Sequence, residues 1–269
     1  MVRKIMFFFL SVSVFVACSK NAITGRSQLK LVPESELQTM ALQQYQEFLS
    51  TNKVVAPSAD RDAEMVRRVG QRVASAVQQY YQQQGLADQL QGYKWEYNLV
   101  DSKEANAWCM PGGKIVVYTG LLPITQNEAA LAVVVGHEVS HALFQHGNER
   151  MSQSMVAQGL GSVLSAASSS NPSLTSNLFM NAFGIGSQLG ILAFSRKDEL
   201  EADRYGLRWA ALAGYNPREA IPLWERMEKM AAGNTPPEFL STHPSEGHRI
   251  DELQKYMPDA LKYYKPMGK

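Results

Sequence analysis

Cysteine is nearly absent: Cys18 and Cys109 are the only two in 269 residues. If Cys18 is modified, Cys109 is left alone, so no disulfide framework can hold the fold and an apolar core must suffice. Charge of either sign is also lacking in excess. Lys and Arg number 26 against 25 Asp and Glu, a formal net charge of +1. The basic residues are scattered, which argues against a nucleic-acid partner. Beyond the first 18 residues no long apolar run occurs, and the stretch 152–192, rich in Ser, Gly, Asn and Ala, is too polar and broken to cross a bilayer. It reads as a helical hairpin or lid. Histidine is absent from the whole first half: all five (His137, His141, His146, His243, His248) lie at or after position 137.

What is present begins with that histidine cluster. Val133 to Leu143 contains His137-Glu138-x-x-His141 inside an apolar stretch. On a helix, positions four apart lie about 40° from each other around the axis, so both imidazoles can point at one metal ion. Glu138, rotated about 100° from His137, is poorly placed to ligate and well placed to take a proton from water at the metal. A hydrolytic metal site needs a further protein ligand and one position for water. His146 lies nine residues beyond His137, about 180° round on a continuing helix, and so faces away; packing or hydrogen bonding at the helix end is its expected role. The acidic run Ser195 to Gly206 supplies carboxylates on a second helix. Glu199 and Asp203 share a face there, with Asp198 and Glu201 as competitors, and helical spacing alone does not choose among Asp198, Glu199 and Glu201.

His137-Glu138-x-x-His141 with Ser195-Arg196-x-x-Glu199-x-x-x-Asp203 resembles the gluzincin metallopeptidase family of the CAAX prenyl endopeptidases, HtpX and BepA. Asn106-Ala107 before Pro111-Gly112-Gly113-Lys114, and Thr242-His243-Pro244-Ser245 before Arg249-Ile250, extend the likeness over about residues 30–255. His146 completes the longer His-Glu-x-x-His-x-x-x-x-His form, which points to the periplasmic lipoprotein and mitochondrial quality-control branch. The resemblance implies one Zn2+ per chain held by His137, His141 and Glu199, with Glu138 catalytic and Asp203 orienting a ligand imidazole. It also implies that His243 approaches the zinc when the site is closed, and that the strand around Asn106 and Ala107 binds extended substrate. Tyr205 and Arg249 are candidates for stabilising the oxyanion. His248 is expected at the surface.

The expected fold is α+β and mainly helical, zincin-like, with a small β-sheet beside the active-site helix. Pro33–Ser50 and Ser58–Gly85 read as helices, Trp95–Val100 and Lys114–Thr119 as neighbouring strands, and Asn216-Pro217 as a helix start. At the N-terminus, Met1-Val2-Arg3-Lys4 precedes an apolar run to Val16 and the Phe15-Val16-Ala17-Cys18 end, the form of a bacterial lipoprotein signal. The division expected is a signal peptide at 1–17, a tether lipidated at Cys18 over 18–32, and a zinc metallopeptidase domain over 33–269. The function expected is a zinc metalloendopeptidase of the bacterial cell envelope, lipid-anchored, facing the periplasm and most consistent with the outer membrane. Its partners would be unfolded or misassembled envelope polypeptides and the membrane. The alternative is a periplasmic chaperone or assembly factor with a mostly closed metal site.

Overall fold

The computed structural model describes residues 18–158, 172–183, 185, 194–232, 238–244 and 248–266. The expected signal peptide and parts of the 152–192 segment lie outside the described residues, as does the side chain of Cys18. A hairpin of β1 (Cys18–Lys20) and β2 (Ser27–Leu29) leads into α1 (Glu34–Thr51), β3 (Val54–Val55) and α2 (Arg61–Gln83). Then come β4 (Glu96–Val100), β5 (Ala107–Met110), β6 (Lys114–Tyr118) and the short α3 (Leu122–Thr125). The remainder is helical: α4 (Glu128–Leu143), α5 (His146–Ala157), α6 (Pro172–Ala182), α7 (Arg196–Leu212), α8 (Ala220–Ala231), α9 (Glu238–Thr242) and α10 (Arg249–Leu261). None of the described helices is long and apolar enough to cross a membrane.

The sheet runs in the order β3-β4-β6-β5, with β4 and β6 parallel and the other pairs antiparallel. Alternation along each strand sorts the side chains into two layers. Leu99, Ala107, Cys109, Ile115 and Val117 face Val66, Val69, Val73 and Val77 of α2 and the apolar side of α4. Val100, Trp108, Met110, Val116 and Tyr118 face Leu37, Ala41 and Tyr45 of α1 together with Met151, Phe179 and Phe183. The central strands are therefore buried on both faces, and each large aliphatic side chain so enclosed contributes about 1.5–3 kcal/mol. That enclosure does the work that disulfides do in smaller exported folds; Cys109 is free and buried.

Helix α4 is capped by Asn127, whose side chain accepts from the Ala130 amide. Helix α7 starts at a reciprocal capping box between Ser195 and Asp198. The two helices cross at Gly136 and Gly206. A Cβ on Gly136 would sit 2.8 Å from the Gly206 carbonyl oxygen, and one on Gly206 would sit 2.9 Å from the His137 nitrogen. Only glycine permits that approach. It brings the carboxylates of α7 within reach of the imidazoles of α4.

Residues 18–32, read from sequence as a tether, are ordered against this core: Gln28 is buried and donates to the Phe144 carbonyl oxygen and to Glu149.

Candidate metal centre

Four buried side chains converge. His137 and His141 from α4, Glu199 from α7 and His243, directly after α9, each offer a ligand atom within 4.8 Å of the others. His137 Nε2 lies 3.0 Å from His141 Nε2 and 3.3 Å from His243 Nδ1. Glu199 Oε1 is 3.4 Å from His141 Nε2 and 2.9 Å from His243 Nδ1, and Oε2 is 3.6 Å from His137 Nε2. Four ligands on a small tetrahedral divalent ion, at about 2.0–2.1 Å each, are spaced about 3.3 Å from one another. The observed edges scatter around that value.

The protonation states point the same way. Burial pushes His137 and His141 well below the usual imidazole range, so both present neutral rings with a lone pair. Burial alone would raise Glu199, but its buried neighbours, His243 and Arg249 first among them, hold it well below the ordinary carboxylate range. Lone pairs facing one another at these separations repel unless a cation lies among them, so the donor set suits a divalent metal.

Glu138 sits beside the quartet. Its Oε1 is 3.5 Å from His243 Nε2 and is buried without a hydrogen-bond partner. Burial, reinforced by the Glu199 charge, pushes its carboxyl well above the usual range. Asp203 Oδ1 lies 3.0 Å from His137 Nδ1 and accepts from Arg249 Nη2 at 2.7 Å. Burial raises Asp203 to about 6 even against the Arg249 charge. Arg249 also lies 3.5 Å over the Trp224 ring.

The competing carboxylates are engaged elsewhere. Asp198 is taken by the capping box and by Arg26 Nη2 at 2.6 Å, and Glu201 Oε2 is 2.8 Å from His146 Nε2. His146 itself is fully buried, with Nδ1 2.8 Å from His141 Nδ1. The continuous helix assumed for it from spacing does not exist. Gln145 adopts a left-handed conformation at φ 56° that ends α4 and turns the chain before α5 starts at His146. Of the oxyanion candidates, Arg249 belongs to the cluster, while the Tyr205 hydroxyl donates to the Ile23 carbonyl oxygen instead. His248 is exposed.

Asn106 and Ala107 are buried at the start of β5, which among the described residues is an edge strand paired with β6 alone. The Asn106 carbonyl oxygen accepts from the Tyr118 amide, and the Ala105 carbonyl oxygen accepts from the Phe239 amide of α9, both at 3.0 Å. Spacing alone did not reveal the aromatic surround. Phe194 stacks on His141 with centroids 3.9 Å apart, and Phe239 stacks on His243 at 4.5 Å. Arg150 lies 3.6 Å over the Phe194 ring and donates to the Asn181 and Ala182 carbonyl oxygens; burial lowers its guanidinium to about 9. A glycine in each helix, Gly136 in the apolar α4 and Gly206 in the acidic α7, was the readable trace of their close approach.

Comparison with known proteins agrees with this geometry. The model of Peptidase family M48 matches residues 61–257. Mitochondrial metalloendopeptidase OMA1 of Saccharomyces cerevisiae is 36% identical over 182 residues, 65% of this chain and 50% of its own length. The zebrafish (Danio rerio) mitochondrial metalloendopeptidase OMA1 is 31% identical over 263 residues, 95% of this chain and 54% of its own. The β-barrel assembly-enhancing protease of Escherichia coli is 29% identical over 168 residues, 60% of this chain and 34% of its own. The chain thus spans about half the length of the OMA1 relatives compared, or less. These matches overturn the expectation of a lipid-anchored bacterial envelope protein facing the periplasm at the outer membrane. The relative that covers nearly the whole chain is mitochondrial by name, and the bacterial protease covers less of it. With its matched segment carrying the buried His137, His141, Glu199 and His243 quartet, the chain belongs to Peptidase family M48.

Proposed function

We propose that this chain is a zinc-dependent metalloendopeptidase acting on extended, unfolded polypeptide. The observation that carries this reading is the convergence of four buried donors at tetrahedral separations, with Glu138 beside them, one of its carboxylate oxygens buried without a hydrogen-bond partner. Zinc, when bound by His137, His141 and Glu199, would polarise a peptide carbonyl and make water a better nucleophile near neutral pH. Glu138 supplies the base: its raised affinity for protons suits it to accept one from water at Oε1 and pass it to the leaving amine. Asp203 fixes the orientation of His137 through Nδ1.

The position of His243 supports reading this conformation as closed. Its Nδ1 stands at the fourth corner, and its Nε2 lies between that corner and Glu138. The same short helix that carries His243 covers the substrate strand, because the Phe239 amide occupies the Ala105 carbonyl at the entry to β5. Displacing α9 therefore frees the water position and the strand edge together. An extended peptide can then pair beside Asn106 and Ala107. A second reading, a chaperone or assembly factor with a mostly closed site, draws support from the same position of His243.

Cleavage of casein by the full chain, with zinc and after chelation, separates the two. The peptidase reading expects zinc-dependent cleavage that falls about 10²–10⁴-fold in Glu138→Gln, with metal content unchanged near one zinc per chain. Turnover in Glu138→Gln equal to that of the unaltered chain would remove Glu138 from the mechanism.

A further inference from the structure

The N-terminal hairpin contributes a residue that reaches the metal site without touching it. Arg26, in the loop between β1 and β2, pairs with Glu149 of α5 at 2.7 Å and with Asp198 and Glu201 of α7 at 2.6 and 3.0 Å. Glu201 Oε2 meets His146 Nε2 at 2.8 Å, and His146 Nδ1 meets His141 Nδ1 at 2.8 Å. The far nitrogen of His141, Nε2, is the one that faces His137 and Glu199.

Only one arrangement of protons satisfies this chain. For His141 to present a lone pair at Nε2, its proton must sit on Nδ1 and be donated to His146 Nδ1. His146 must then carry its own proton on Nε2 and donate it to Glu201. Glu201 Oε2 stands within reach of both donors, His146 Nε2 at 2.8 Å and Arg26 Nε at 3.0 Å. Every member except Arg26 is buried or nearly so, and Arg26 itself retains only 20% side-chain exposure.

We propose that Arg26 is a positioning residue for the metal centre, acting through Glu201 and His146 to fix the tautomer and ring orientation of His141. The hairpin thereby becomes part of the site: an N-terminal segment that undocks releases the Glu201 carboxylate and leaves His141 free to turn or to protonate the wrong nitrogen. This inference rests on the reading of the quartet as a zinc site.

Zinc affinity of the full chain, measured by competition with a chromophoric chelator, tests it. Arg26→Gln and Glu201→Gln should each weaken zinc binding about tenfold, the lower end of what loss of a partner behind a ligand histidine costs. Arg26→Lys should recover part of that loss. Glu149→Gln removes another of the Arg26 ion pairs without entering the chain to His141, so it should lower the unfolding temperature of the zinc-free protein while leaving zinc affinity within twofold. Equal weakening in Glu149→Gln and Glu201→Gln would mean that the hairpin acts by docking alone, and the relay would be wrong. Unchanged affinity in both Arg26→Gln and Glu201→Gln would also overturn it. Long-range 1H–15N spectra of the zinc-free chain give a reading that no variant can confound: His141 protonated at Nδ1 and His146 at Nε2 are expected, and the opposite tautomer on either ring refutes the proposal. If the unaltered chain binds no zinc, the metal reading fails rather than the relay.

Discussion

His137 and His141 sit four residues apart on one helix, yet they are held in different ways. Behind His137 stands Asp203, in direct contact at 3.0 Å and paired with the buried Arg249 of the C-terminal helix α10. Behind His141 stands another imidazole, His146, and only then a carboxylate, Glu201, paired with the partly exposed Arg26 of the N-terminal hairpin. Each imidazole thus ends on an arginine-paired carboxylate, one by a short, fully buried route and one by a longer route that opens towards solvent. The short route is built from two helices packed backbone to backbone. The long route depends on a two-stranded hairpin of three-residue strands, the kind of element that unfolds locally at low cost. The difference teaches that one ligand is fixed by the core while the other is fixed by a peripheral segment.

The largest expected effect strikes what both sides share. Glu199→Ala removes the single carboxylate that touches both imidazoles and His243, and zinc should no longer copurify; metal analysis of the purified variant checks this. Retention of one zinc per chain would move the third ligand elsewhere.

Next comes the comparison itself. Asp203→Asn should weaken zinc affinity about 10–100-fold, and more than Glu201→Gln does, because it acts directly on its imidazole and removes one of the two carboxylates, Asp203 and Glu199, that pair with the buried Arg249. Parallel chelator titrations rank the two. The reverse order would show that the longer route dominates.

His243→Ala should keep zinc and raise casein cleavage several-fold, since the fourth corner is vacated while His137, His141 and Glu199 remain. Lower turnover with full metal content would assign His243 to the transition state instead of to closure.

The smallest effect belongs beside the hairpin and outside both routes. Glu34, at the start of α1, has its carboxyl pushed up to about 7 by burial, with one oxygen lacking a partner. Against about 4.3 in the unfolded chain, the fold favours the neutral acid. Stability is therefore fully present below about pH 4 and is lost as pH rises through 7. Glu34→Gln should stabilise the protein at pH 8 by on the order of 1 kcal/mol, the shift being discounted for partial exposure, and should make no difference at pH 4. Denaturant unfolding at both values checks this, and an equal gain at both would mean that Glu34 does not titrate in this range.

Much of the centre was legible without coordinates. The four-residue spacing of His137 and His141 needs only the pitch of a helix, and the acidic run from Ser195 to Gly206 forms the second helix that the spacing of its carboxylates requires. The strand at β6 followed from its β-branched and aromatic composition and that at β4 from alternation of apolar and polar side chains, and the structure pairs them as neighbours. His146 has the hydrogen-bonding role expected of it at the helix end, but the continuing helix assumed for it fails, because helical pitch says nothing once Gln145 enters the left-handed region. The choice among Asp198, Glu199 and Glu201 could not be made from spacing either. Three carboxylates on one helix compete equally until their partners are known: a cap for the first, a metal cluster for the second, an imidazole and an arginine for the third.

The sequence by itself determined the chemistry available: two imidazoles on one helical face, a carboxylate next to one of them, and an acidic helix to complete the set. Those are local properties, set by residue type and by a period of 3.6. Only the tertiary structure decided which groups meet. That decision rests on the contact of Gly136 with Gly206, on the turn at Gln145, and on an N-terminal hairpin that brings Arg26 across more than 170 residues of chain to Asp198 and Glu201. Contacts so distant along the chain depend on how separate elements pack, and no local pattern of residues encodes that packing.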